Sequence, residues 1–118
     1  MTNYLDIANT TTWATDQQDS YPIWQNNKSQ TFVFIGDDLA SDTLFNNMCY
    51  MMQCNTSDIN TDQVNFGLIF TQDEQSFFQT GKTNRVEKIL FCPSLEFLRT
   101  NGALKKTLWQ YFGNLGMI

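Results

Sequence analysis

Two adjacent carboxylates, Asp37 and Asp38, are the residues whose type and setting come closest to doing chemistry. They follow the apolar run Thr31-Phe32-Val33-Phe34-Ile35 and Gly36, where a strand would give way to a helix. In open α/β sheets the carboxyl edge is where ligands bind. A carboxylate pair there could hold Mg²⁺. The competing role is structural, because an Asp at a helix start accepts from the first free backbone N–H groups. The chain has no histidine, which removes Ser-His and Cys-His nucleophile systems and imidazole metal sites. Its three cysteines, Cys49, Cys54 and Cys92, are odd in number and form no C-x-x-C pair. They read as small buried hydrophobes. The single Gly-Lys-Thr, Gly81-Lys82-Thr83, lacks the upstream glycine of a phosphate loop and has no helix-starting run after it. A phosphate cradle needs backbone N–H groups at a helix N-terminus, so this one reads as a plain loop. The residues therefore imply no catalytic group, no cofactor and no metal.

The elements that would hold these residues alternate in type. Thr31–Ile35 is continuous and rich in β-branched and aromatic residues, as in a strand buried on both faces. Gly36-Asp37-Asp38 makes the turn, and Asp38 or Ser41 can cap the helix that follows, with Asp42 favourable in its first turn. That helix carries Leu44, Phe45, Met48, Cys49 and Met52 on one stripe and should end near Cys54-Asn55. Met48, Met51 and Met52 could make an adaptable binding face, but at helical spacing they read as core. A second strand runs from Gln63 to Phe70 with a break or bulge at Gly67. Residues 72–80 predict a short helix anchored by Phe77-Phe78 and ended by Gly81. Val86–Phe91 predicts the third strand. Pro93 opens the last helical region with Ser94 as cap, and Leu104, Leu108 and Tyr111 share a face. Strand and helix alternating in this way imply a three-layer α/β domain, with a small, mainly parallel sheet of three to four strands flanked by helices. A chain of 118 residues fits a single domain of the common ~100–150 residues.

Residues 1–28 read differently, as a flexible N-terminal arm preceding a domain at 29–118. The arm is polar, yet carries Tyr4, Leu5, Ile7, Trp13, Tyr21, Ile23 and Trp24 with no clean period. A polar segment with spaced apolar residues suits docking on something else. For Trp13, docking on a partner and packing on the chain's own core both stay open. Trp24, nearer the first strand, reads as core.

Charge is divided along the chain. The net charge is −5, with ten acids and one base in residues 1–81, and two acids and six bases in residues 82–118. A general nucleic-acid binder needs several Lys or Arg set against phosphates, and six bases scattered over the last third read instead as a solvated face. No run approaches the ~18 apolar residues of a spanning helix. The start, Met1-Thr2-Asn3-Tyr4-Leu5-Asp6, lacks a basic n-region and apolar stretch, so the expectation is a soluble, cytoplasmic protein.

The end of the chain carries an ordered string: Pro93-Ser94-Leu95, Leu98, the break at Asn101-Gly102, the basic pair Lys105-Lys106, and Leu108-Trp109-Gln110. This string resembles the C-terminal part of the psi subunit of bacterial DNA polymerase III. The resemblance covers the last fifth of the chain well and the rest in outline. It implies a non-catalytic subunit that bridges the clamp loader to the chi subunit, and through chi to single-strand DNA-binding protein, with no direct contact to nucleic acid. By the same resemblance the arm would grip the clamp loader through Tyr4, Leu5, Ile7 and Trp13. Asp6 stands where the family has a central glycine, and the spacing from Ile7 to Trp13 is longer than usual.

Two other classes compete with this reading. A receiver-like or small-ligand-binding α/β domain would use Asp37 and Asp38, but it would want a further Asp, a Thr and a Lys at later strand ends. Thr71 and Lys88 are poor substitutes, Lys88 falling inside its strand. A small acidic inhibitor would use the N-terminal acids to occupy a DNA-binding partner, and salt would weaken that contact steeply.

Overall fold

Thr31–Ile35 pairs on both sides, as a continuous apolar run should, and forms β2 of a six-stranded sheet. A computed structural model describes residues 22–59 and 61–118. In chain order the strands are β1 (Ile23–Gln25), β2 (Thr31–Ile35), β3 (Asn55–Ser57), β4 (Val64–Thr71), β5 (Thr80–Gly81) and β6 (Val86–Pro93). Their spatial order is β3-β1-β2-β4-β6-β5. The central β2, β4 and β6 are parallel, while β1, β3 and β5 join antiparallel. The expected sheet of three to four strands is thus too small, and the sheet is mixed rather than mainly parallel. The three long apolar runs are its parallel centre. The short strands added at its edges carry too few side chains to show a period of two. β1 lies within residues 1–28, and its Trp24 packs edge-on against Phe34 and Phe45, with ring centroids 5.4 and 5.7 Å away.

Among the described residues there are three helices: α1 (Thr43–Met51) after β2, α2 (Leu95–Thr100) after β6, and α3 (Gly102–Asn114) directly after α2. Asp42 caps α1, its carboxylate accepting from the N–H groups of Leu44 and Phe45. Asp38 sits one turn earlier with φ +54°, before the 3₁₀ turn Leu39–Ser41. The apolar stripe of α1 faces inward as expected, with Phe45, Met48, Cys49 and Met52 buried, but Met51 is 65% exposed and is not core. The helix stops at Met51, short of Cys54, because Gln53 takes φ +56° and Asn55 enters β3.

The helix expected over 72–80 does not form. Asp73 caps one 3₁₀ turn, Glu74–Ser76. Phe78 then adopts φ +64°. Its N–H donates to the Phe91 carbonyl, and the Phe91 N–H donates back to Gln79. The backbone is thereby committed to pairing with β6, and Gly81 lies in β5 rather than ending a helix.

The two faces of the sheet are distinct. One carries Phe32, Phe34, Phe66, Leu68, Leu90 and Cys92, and all three helices pack on it through Phe45, Met48, Leu95, Leu98, Leu108 and Phe112. The other carries Val33, Val64, Val86, Ile89 and Phe91, with Ile23, Ile35 and Ile69 against them. Among the described residues, no helix side chain belongs to this second cluster. The described helices therefore all lie on one face of the sheet. The C-terminus is pinned to the β1–β2 turn, since Asn26 Nδ2 donates to the Met117 carbonyl (3.3 Å) and Gln30 Nε2 to the Gly116 carbonyl (2.9 Å). Among the described residues, no helix is long and apolar enough to cross a membrane.

Candidate functional site

The parallel strands β2, β4 and β6 end on the same edge, and there the chain leaves a cleft of about 570 Å³. Its walls come from the three segments that leave those strands: Asp37 and Asp38 after β2, Thr71 and Gln72 at the end of β4, Ser94 and Glu96 after β6. The Ser94 N–H donates to the Thr71 carbonyl (2.8 Å), which ties two of these segments together. Asp37 and Asp38 are thus brought to the edge that their position after β2 suggests, and both are exposed.

The charge that would matter there is already engaged. Arg99 Nη1, on α2, donates to Asp42 Oδ2 at 2.5 Å. Arg99 lies 57 residues from Asp42 in sequence, so sequence reasoning had no signal for the pair. The Arg99 hydrogen bond holds the Asp42 carboxyl below the usual carboxylate value, against the opposing effect of desolvation. The other Asp42 oxygen caps α1. Asp42 is therefore a tie between α1 and α2, with little left to offer a ligand. Among the described residues no group of three or more His, Cys, Asp or Glu is arranged to hold a metal ion. Thr71 does line the cleft, but Lys88 lies in mid-β6 opposite Phe66. The acids Asp37, Asp38 and Glu96 outnumber the cations on the cleft wall, an arrangement that repels anionic ligands.

The remaining candidate groups are structural. Cys49 and Cys54 are buried, and desolvation pushes both thiols up to about 12. Cys92 is buried more deeply and is driven up further by the same cause. A thiol so far above neutrality is a poor nucleophile. Gly81 ends β5, and Lys82 and Thr83 begin the loop to β6, where Thr83 Oγ1 accepts from the N–H groups of Arg85 and Val86.

A second concave surface lies between α1 and α3, and sequence reasoning did not find it. It is an apolar groove of about 250 Å³ whose walls are Leu44 and Met51 on α1 and Lys105 and Trp109 on α3, with Met48, Leu98 and Leu108 forming its floor. Trp109 is half-buried, edge-on to Phe112 with centroids 5.3 Å apart. Tyr50 and Met51, beside the groove on α1, are 83% and 65% exposed. The signal in the sequence is the group Met48, Met51 and Met52, which reads there as core and not as an adaptable face. The predicted partner-binding residues Tyr4, Leu5, Ile7 and Trp13 lie outside the described residues. No known protein family, curated protein or solved structure matches this chain.

Proposed function

We propose that this chain is a non-catalytic accessory subunit of the bacterial replicase, similar to the psi subunit of DNA polymerase III. In this reading it bridges the clamp loader to the chi subunit, and so to single-strand DNA-binding protein. Tyr4, Leu5, Ile7 and Trp13 grip the clamp loader, and the α/β body engages chi without touching nucleic acid. The observation that supports this reading is the C-terminal unit, where the residues that carry the resemblance fall on two consecutive capped helices. Ser94 caps α2, and Leu95 and Leu98 are buried beneath it. Asn101 closes α2 and caps α3. Leu108 is buried, Lys106 and Gln110 face outward, and Trp109 stands at the rim of the α1–α3 groove. Aromatic residues at a surface groove are the side chains that partner surfaces favour.

The test is reconstitution with purified clamp loader and purified chi. The wild-type chain is expected to bind each and to link them in one complex on size exclusion. The double variant Leu5→Ala/Ile7→Ala is expected to lose the clamp loader and keep chi. A chain that binds neither component overturns the reading.

A further inference from the structure

α1 runs from Thr43 to Met51 without a charged residue, and α3 carries Lys105 and Lys106 but no acid. The apolar groove between these helices has Met48, Leu98 and Leu108 as its floor, and Lys105 is the one charge among its lining residues. Trp109 stands half-buried at the rim. Tyr50 and Met51, beside it, are the most exposed large apolar side chains among the described residues. Packing of the chain's own core accounts for the inward stripe of α1, but not for apolar surface left in water. Depletion of charge together with Trp, Tyr and Met is the compositional mark of the centre of a protein interface. Volume separates the classes of occupant. Small-molecule sites commonly measure ~300–1,000 Å³. At about 250 Å³ the groove is smaller, and suits a few side chains of a polypeptide laid across it.

We propose that this groove docks a short amphipathic segment of another protein, one that carries two large apolar side chains a helical turn apart and an acidic residue beside them. The apolar pair enters the groove over Met48 and Leu108, with Met51 and Trp109 closing on it from the two rims. The acid meets Lys105. An apolar helix face laid into a groove, with anchors at i and i+3 or i+4, is a recurrent mode of peptide recognition. Charge decides between this partner and a second copy of the chain. A two-fold pair sets the same patch against itself. Since α1 and α3 hold no carboxylate, such a pair would face Lys105 with an uncharged helix or with another Lys105. A foreign acid supplies the missing opposite charge. Complementary charge gives specificity more than affinity, so the apolar anchors hold the peptide and Lys105 selects it. The inference does not rest on the replicase reading. Reconstitution tests that reading and peptide selection tests this one, and either can fail alone.

The probe is a phage-displayed library of short random peptides, panned against the full-length chain. The selected peptides are expected to share two large apolar residues three or four positions apart, with an acid near them. The best of them, made synthetically, should shift the amide NMR signals of Met51, Lys105 and Trp109 and leave those of Lys82 and Thr83, in the loop after β5, in place. Met51→Glu alters an exposed side chain, so it should leave Tm unchanged and weaken the peptide about tenfold. Lys105→Glu should weaken it several-fold, and exchanging the peptide's acid for lysine should restore binding to that variant. A structural role for Lys105 gives no such rescue. The proposal is overturned if panning yields no binder, if the selected peptides lack an acid, if the shifts fall on another surface, or if Met51→Glu leaves binding intact. Sedimentation supplies the remaining outcome. Self-association of the wild-type chain that Met51→Glu abolishes overturns the proposal and makes a second copy the occupant.

Discussion

Asp42 does two jobs with two oxygens. One accepts from the first N–H groups of α1 and the other from Arg99 of α2. Replacing it with alanine removes a helix cap, which costs about 1 kcal/mol in a typical protein. Asp42→Asn keeps the cap and removes only the ion pair, so in urea unfolding at neutral pH it should lie between wild type and Asp42→Ala. The acid response follows from the lowered carboxyl. A group whose folded pKa is depressed contributes stability above its unfolded value, ~3.9, and loses it as pH falls through the folded one. Wild type should therefore lose more stability than Asp42→Asn between pH 5 and pH 2, and the two curves should converge at the acid end. Parallel curves would show that Arg99 is not stabilising the carboxylate. The cysteines give a second residue-scale expectation. Burial holds all three thiols neutral, and the thiolate is the reactive form. A thiol-titrating reagent at pH 8 should find none in the native protein and all three in denaturant.

At the scale of elements, the hinge between α2 and α3 is one residue long. Asn101 has extended backbone, and its side chain accepts from the N–H groups of Ala103 and Leu104. Asn101→Ala is expected to destabilise by about 1 kcal/mol and Asn101→Gly by only a few tenths, because glycine also suits the N-cap. Equal effects in chemical denaturation would remove the cap from the account. This break was legible in sequence, as were the three parallel strands and the inward stripe of α1. Each has a local cause: an Asn-Gly step, an unbroken apolar run, a 3.6-residue period. The edge strands were not legible. Asn55-Thr56-Ser57 is polar and short, and becomes β3 only because β1 lies beside it. The segment 72–80 has the caps and aromatics of a helix start, but the bonds that Phe78 and Gln79 exchange with Phe91 outweigh them. The site divides in the same way. Asp37 and Asp38 could be put at the sheet edge from the strand before them, whereas the Arg99–Asp42 tie and the α1–α3 groove join residues far apart in the chain.

At the scale of the molecule, the sheet divides the apolar residues into two clusters, and the energetics of each cluster tells whether its face is closed. Leu98 lies in the helix-covered cluster and is fully buried. Ile89 lies in the other and is equally buried. A buried Leu or Ile cut back to alanine typically costs about 2–5 kcal/mol, whereas a surface substitution stays within about 0.5 kcal/mol. Leu98→Ala is the reference, since α2 and α3 hold its site together whatever covers the other face. Ile89→Ala reads the second face directly. If chain packs over that face, both variants should fall in the same range by denaturant midpoint. If Ile89 is instead open to water, its truncation is nearly silent and the two variants differ by several fold.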